Sequence, residues 1–400
     1  MRRIDLNRAR VARPKTIRDI NRQIVLNYVR ERGPISRAEI AQVTKLQRST
    51  ISLIVDGLKG DGLVEELDGE STGGRPPILL SLRTANAVAI GVDVGTTRTT
   101  VATSDLAGRV LSEEEFETDA DADTTIRNIV ARAKRFTGRK TSTIEGIGVS
   151  LPGLVDPISG NSFVPHFQWR NLRIEAELRK TLKLPVTVDN DANAAALAEL
   201  WFGRPEIREV RDFIMVLVEG GLGTGIVFDG QVYRGEGSVA GEFGHMTIGS
   251  SAPIACAAGS RKCWEAFASE SAALARYAKL SHNSYGKLDV TFAQLTDRAI
   301  RGERIARAAL KETGHYLGVG IGNLIQGLAP QAVIIGGRIT SVWPLIFEKV
   351  DAAVKENVCR GLLSTRIMCS TLGPKPTLMG AVSLVLASKF ASTGAAWATR

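Results

Sequence analysis

Val88-Ala89-Ile90-Gly91-Val92-Asp93 reads as a strand, Val94-Gly95-Thr96-Thr97 as the glycine turn that reverses it, and residues 99–104 as the returning strand. Leu106-Ala107-Gly108 closes the unit. About 127 positions on, the plan recurs: Phe213–Val218 reads as a strand, 219–225 as a glycine turn, 226–228 as a strand, and Asp229-Gly230 as the next turn. Mixed strand and helix signals follow each hairpin, so the chain reads as two related α/β halves facing each other. Glycine turns expose backbone N–H groups that suit phosphate, and two of them could clamp one. Two ordinary hairpins have the same pattern, and neither turn alone is specific.

Other landmarks fit two halves around a cleft. Residues 147–156 read as a strand running into a loop, and Val186-Thr187-Val188 as a strand that delivers Asn190 and Asp191 to the start of a helix over 192–201. Polar side chains at such a strand-to-helix junction face a cleft. A long helix is expected over Arg304–Leu328, where Gly314, Gly318 and Gly322 recur every four residues and permit close backbone packing. Val333-Ile334-Ile335-Gly336-Gly337 reads as a buried strand ending at the cleft.

At 400 residues the chain exceeds one ordinary core, so two or three domains are expected. With 44% hydrophobic and 23% charged residues, a mainly disordered chain is excluded. No apolar run is long enough to span a membrane, and the basic start lacks the apolar stretch of a secretory signal. Four cysteines, at 256, 263, 359 and 369, make no disulfide framework, and a cytoplasmic protein is expected. Cys359 and Cys369 read as buried thiols, and His282 and His315 as structural polar groups.

The charge is unevenly placed. Residues 1–48 carry thirteen Lys and Arg against four acids, so the whole net charge of +9 sits there beside a neutral remainder. A polyanionic partner is the natural reading. Residues 1–15 are expected as a mobile basic arm, and 16–82 as a winged helix-turn-helix. Ile17, Ile20, Ile24, Val25, Tyr28 and Val29 recur at helical spacing, and Gly33-Pro34 stops that helix. Ser36-Arg37-Ala38-Glu39 is a capping box opening a helix over 37–43, with Ile40 and Val43 inward. A turn at 44–47 precedes a third helix over 48–59 that buries Ile51, Ile54, Val55 and Leu58. Gln47, Arg48, Ser49, Thr50 and Ser52 cluster at its amino end, where this motif meets base edges; Arg37 lies nearby. Strands over 63–67 and Ile78–Leu82 would form a hairpin whose tip presents Gly74 and Arg75 to a minor groove.

Taken together, DVGTTR (93–98), SLPG (150–153), DNDANAAALAE (189–199), GEFGH (241–245), residues 256–265 and VIIGG (333–337) resemble the ROK family. That family groups sugar-responsive repressors, uncharacterised frames and sugar kinases on an actin-like, two-lobed α/β fold. The resemblance covers about residues 85–390, and the preceding winged helix-turn-helix with its GGRPP wing resembles the repressor branch. It implies a sugar site of Gly153, His166, Asn190, Asp191, Glu242, His245 and Glu265. Asp191 holds the place that deprotonates the sugar hydroxyl in the kinases, and His166 stands where the family usually has Asn. It also implies nucleotide contacts from Asp93, Gly95, Thr97, Gly221, Gly223 and Gly337.

Two departures bear on chemistry. The kinase branch has a second phosphate loop of the form GTGxGxG, whereas this chain has Glu219-Gly220-Gly221-Leu222-Gly223-Thr224-Gly225. Glu219 sets a negative charge where phosphate would approach, which disfavours nucleotide. Thr96 also replaces the second glycine of the first loop. The family's zinc pattern is one His with three Cys; here Ala258 replaces one cysteine and leaves His245, Cys256 and Cys263. A structural zinc wants four protein ligands, so no bound metal and no other cofactor is expected. The resulting expectation is a DNA-binding transcriptional regulator, a repressor whose operator binding answers to a monosaccharide. One helix-turn-helix reads a half-site, so a homodimer or homotetramer is implied. The alternative is an ATP-dependent hexose kinase with a fused DNA-binding domain.

Overall fold

The computed structural model describes residues 14–69, 76–84, 87–137, 143–156, 159–203, 205–207, 210–281, 290–359, 361 and 365–390. Gly74 and Arg75 of the expected wing tip, residues 1–13 of the expected arm, and His282 lie outside these.

The amino-terminal domain comprises α1 (Pro14–Arg32), β1 (Ile35–Ser36), α2 (Arg37–Thr44), α3 (Arg48–Gly60), β2 (Val64–Asp68) and β3 (Ile78–Leu82). The capping box forms: the Ser36 hydroxyl accepts from the Glu39 N–H at 3.2 Å, and the Glu39 carboxylate accepts from the Ser36 N–H at 2.8 Å. Two otherwise orphaned donors at the start of α2 are thereby satisfied. Ile51, Ile54, Val55 and Leu58 of α3 are buried against Val25, Leu26 and Val29 of α1 and Leu80 of β3. Sheet order β1-β3-β2, antiparallel throughout, makes β2–β3 the stem of the hairpin.

Val43, expected inward, and two positions of the apolar stripe on α1 lie outside the core. Ile17 and Ile24 are exposed, because α1 turns the face of Val25, Leu26 and Val29 to the core, and Leu26, unmarked in the sequence, is fully buried. Val43 is exposed as well: α2 has only eight residues, and Ile40 alone reaches the interior.

The body begins with β4 (Ala87–Val94), β5 (Arg98–Asp105), β6 (Val110–Glu117), α4 (Ala122–Thr137) and β7 (Thr143–Leu151). A small antiparallel sheet of β8 (Leu154–Asp156), β9 (Asn161–Val164) and β10 (Trp169–Leu172) follows, then α5 (Ile174–Leu182), β11 (Val186–Asn190) and α6 (Asp191–Phe202). The second lobe has β12 (Phe213–Val218), β13 (Leu222–Phe228), β14 (Gln231–Tyr233), α7 (Trp264–Ala268), α8 (Glu270–Leu280), α9 (Phe292–Ile300) and α10 (Arg304–Leu328). It ends with β15 (Ala332–Gly336), α11 (Trp343–Asn357), β16 (Arg366–Cys369) and α12 (Pro376–Phe390).

The duplication read from the hairpins is realised strand for strand. The sheets run β11-β7-β4-β5-β6 and β14-β13-β12-β15-β16. In each, the first strand pairs antiparallel with its hairpin mate and parallel with a strand on its other side. The fold is the two-lobed actin-like one. The second glycine turn is shorter than 219–225, because Gly223 and Gly225 lie within β13. A Cβ on Gly225 would stand 2.4 Å from the Ala192 carbonyl and 2.7 Å from the Ala196 Cβ, so this glycine serves helix packing. The long helix has the expected bounds, and a Cβ on Gly318 would meet the Val350 carbonyl of α11 at 2.4 Å.

Two helices cross between lobes. α6, from the first lobe, covers the second sheet through Ala192, Ala195 and Ala196. α12, from the second, lies on the first sheet, where Gly148 of β7 would set a Cβ 1.8 Å from the Ala381 carbonyl. The pair touch at Gly380 and Ala194, with 2.4 Å between the added Cβ and the Ala194 carbonyl carbon. At its carboxyl end α12 joins the amino-terminal domain: Val382, Val385, Leu386 and Phe390 belong to one apolar core with Val25, Leu26 and Val29.

Cys359 is exposed and Cys369 half-buried, contrary to the buried reading; Cys359 lies just past α11, where its thiol bonds the Gln326 side chain at 3.0 Å. Among the described residues no helix is long and apolar enough to cross a membrane.

Candidate functional site

A cleft of about 910 Å³ opens between the lobes. Asn190 ends β11 and caps α6: its Oδ1 accepts from the Ala192 and Asn193 N–H groups at 2.9 and 3.1 Å. Its Nδ2 donates to the Gly153 carbonyl at 2.9 Å, which pins the loop after β7 and leaves a second amide N–H for a ligand. That loop needs its glycine: Gly153 has φ 114°, and a Cβ would lie 2.4 Å from the Phe163 carbonyl. Arg234, from the segment after β14, donates to Asp189 at 3.1 Å through Nε. This ties the second-lobe segment leading to Glu242 to the strand that carries Asn190.

Acids dominate the cleft floor. Burial pushes the Asp191 carboxyl up to about 7, with the negative charges of Asp93 and Glu242 adding to the shift. Burial likewise raises Asp93 to about 6, against the pull of Thr377, whose hydroxyl donates to it at 2.7 Å. Glu219 is pushed well above the usual carboxylate range by burial, then by Asp93, Asp191 and Glu270. Burial also raises Glu242, whose Oε2 lies 3.7 Å from the His245 Nε2. Glu265, at the start of α7, accepts from the Ala257 N–H at 3.0 Å and so holds the cysteine loop against the cleft.

All seven sugar-site residues implied by the resemblance, Gly153, His166, Asn190, Asp191, Glu242, His245 and Glu265, line this cleft. Of the nucleotide set, Asp93, Gly95, Gly221 and Gly223 line it; Thr97 and Gly337 do not. The glycines have reasons inside the protein: a Cβ on Gly95 would meet the Arg98 carbonyl at 2.6 Å, one on Gly221 the Glu265 carboxylate at 2.9 Å, and one on Gly337 the Val218 carbonyl at 2.0 Å. Residues unmarked in the sequence also line it. Arg170, over the Phe163 ring at 5.2 Å, requires the β9–β10 hairpin, and Thr377 lies 284 positions from the Asp93 it contacts. No local pattern signals either.

Beside the cleft, the ligating atoms of His245, Cys256 and Cys263 lie within 4.8 Å of one another. Burial, with a bond from Cys256, pushes the Cys263 thiol up to about 12. One imidazole and two thiols that converge fit a zinc ion as three of four ligands; Ala258 offers no donor, so water or another small group would complete a tetrahedron. A bound ion would hold the thiols as thiolates and brace the loop behind Glu265.

On the amino-terminal domain, Gln47, Arg48 and Ser49 are exposed at the start of α3, while Thr50 and Ser52 are half-buried. Arg37 donates to Asp56 and to Glu66, each at 2.9 Å.

A winged helix-turn-helix domain packed on a two-lobed actin-like body, with a polar cleft between the lobes, defines the class of protein. The chain belongs to the ROK family, whose description matches residues 89–388. It is 31% identical over 386 residues to the xylose repressor of Caldicellulosiruptor bescii, covering 92% of this chain and 96% of that one. A solved ROK family transcriptional regulator, a homologue of the Escherichia coli MLC protein, superposes with a TM-score of 0.78 at 25% identity, over 94% of this chain and 97% of that one. A ROK family glucokinase from Streptomyces griseus, in complex with glucose and AMPPNP, gives 0.68 at 27% identity, over 74% of this chain and 98% of that one.

Proposed function

We propose that this protein is a sugar-responsive, DNA-binding transcriptional repressor: α3 and its neighbours bind operator DNA, and a monosaccharide in the cleft modulates that binding. One observation carries the reading. Both helices that begin at the cleft, α6 at Asn190-Asp191 and α12 at Thr377, end against the amino-terminal domain, at Trp201-Phe202 and Phe390. A ligand that favours one lobe arrangement therefore acts on the seat of the domain that would meet DNA. Vicinal sugar hydroxyls donate to Asp191 and Glu242 and accept from the remaining Asn190 N–H and from His245. The repressor named for xylose supports the reading by its similarity over nearly the whole chain.

Phosphoryl transfer is not part of the proposal. Glu219, half-buried at the cleft, stands with Asp93 and Asp191 in one acidic floor, where desolvation and mutual repulsion already hold each carboxyl's pKa up and the charge of a nucleotide triphosphate would add to that repulsion. A two-fold operator requires two heads, and the functional unit is proposed to be a homodimer or homotetramer.

The test is a thermal-shift screen against pentoses, hexoses, amino sugars and their phosphates, with and without Mg-ATP, followed by operator affinity with the sugar that binds. Stabilisation by one sugar, none by ATP, and a change in operator affinity are expected. ADP release on adding sugar and ATP would instead support a kinase, and no response to any sugar would remove the sensor role.

A further inference from the structure

The outer face of α3 carries a side chain that the domain does not use. Leu53 is 76% exposed, more than any other large apolar side chain described, although its helix neighbours Ile51, Ile54, Val55 and Leu58 are all buried. It lies four residues after Ser49, about 40° around the helix, so the two share one face with Arg48 close by. One turn further on is Gly57, where an added Cβ would meet nothing within 4 Å. Glycine weakens a helix interior relative to alanine, and no neighbour in the protein calls for it. Asp56, between them, would repel phosphate, but Arg37 pairs with it at 2.9 Å and also holds Glu66. The face thus presents an apolar knob, then a strip bare of side chain, with its acid paired and with exposed Lys45 and Arg48 at the amino end.

We propose that Leu53 contacts the 5-methyl group of a thymine in the major groove and so sets a base preference in each half-site; this rests on the DNA-binding reading above. The thymine methyl is the one apolar group that base pairs show in that groove. Leucine placed over any other base edge would strip water from polar atoms and give no hydrogen bond in return. The bare strip at Gly57 lets the helix backbone approach closely enough for a four-carbon side chain to reach the groove floor. Arg37 then acts as a positioning residue, removing the charge of Asp56 from the contact face.

The experiment uses the full chain. Operator sequences are selected from a random DNA pool, and each thymine of the half-site is replaced in turn by deoxyuracil, which lacks only the methyl. At fixed salt, one position, or two adjacent ones, should lose about four-fold in affinity, the effect of exposing one methylene-sized group. Leu53→Ala should bind the thymine and deoxyuracil operators equally, and Leu53→Met should keep the difference. Because Leu53 touches no core, both variants should melt with the wild type. Enriched operators that tolerate every deoxyuracil would overturn the proposal, as would a Leu53→Ala variant that still discriminates. If no sequence is enriched at all, the DNA-binding reading falls and takes this proposal with it.

Discussion

The guanidinium of Arg30, near the end of α1, lies 4.1 Å above the ring of Trp201, near the end of α6. The Phe390 ring, at the end of α12, is 5.5 Å from the same guanidinium, and the Phe390 carbonyl accepts from the Asn27 amide at 2.8 Å. The amino-terminal domain thus rests on the carboxyl ends of the two helices whose amino ends line the cleft. These helices also cover each other's sheets and touch at Gly380 and Ala194, so a change in lobe angle shifts both together.

Trp201→Ala should therefore weaken communication more than either binding event. Loss of the cation–π contact and of packing should cost about 1–2 kcal/mol of stability. The ratio of operator affinities with and without sugar should fall toward one, while sugar affinity measured without DNA stays within about two-fold. Titration calorimetry and fluorescence anisotropy measure the two, and an unchanged ratio would remove this route of coupling.

Sugar binding should depend on pH through Asp191. Its carboxyl titrates near 7 in the folded protein, and a sugar hydroxyl prefers the ionised acceptor. Affinity should therefore rise as pH goes from about 5.5 to about 7.5, with proton release on binding. Stability of the unliganded protein should run the opposite way. The folded-state value lies above the unfolded one, so the unfolded chain gives up this proton first, and stability from this group falls as pH rises from about 4 to about 7. Asp191→Asn should lessen both trends and leave the share of the likewise raised Asp93, Glu219 and Glu242, as calorimetry in two buffers and melting across pH would show.

Ala258→Cys should complete the metal set. Adding a thiolate to His245, Cys256 and Cys263 supplies a fourth protein ligand. Zinc loaded into the variant should survive a chelator challenge that strips the wild type, read by metal analysis after desalting. Equal retention by both proteins would mean that residue 258 does not face the ion.

Gly318→Ala should destabilise the second lobe by about 1–3 kcal/mol, because its Cβ would stand 2.4 Å from the Val350 carbonyl and backbone must move. Gly57→Ala, where nothing lies within 4 Å, should raise stability by about 1 kcal/mol. Opposite shifts in melting temperature are the expected outcome.

Legibility in the sequence followed how local each interaction is. The capping box at Ser36 and Glu39 was readable because both partners lie within one turn. The four-residue glycine spacing over 314–322 was readable because helix geometry alone puts those positions on one face. The doubled hairpin revealed the two lobes, since strand–turn–strand is also local. Ile17, Ile24 and Val43 misled because periodicity marks an apolar stripe without saying which part of it another element covers. The glycine turn reads longer in the sequence than it is, because nothing local shows that Gly223 and Gly225 lie within β13 and pack against α6, a helix about 30 positions earlier.

Sequence alone therefore determined the classes of its parts: a basic helix-turn-helix, two related α/β lobes, and a set of polar residues suited to a sugar. Hydrogen-bond chemistry and side-chain spacing act over a few residues, and they leave their pattern in the order of the chain. Only the tertiary structure decided that α6 and α12 exchange sheets, that Thr377 reaches Asp93, and that Arg30 sits on Trp201. Those relationships join segments as far as 284 positions apart, and they follow from which surfaces fit together once the sheets have formed.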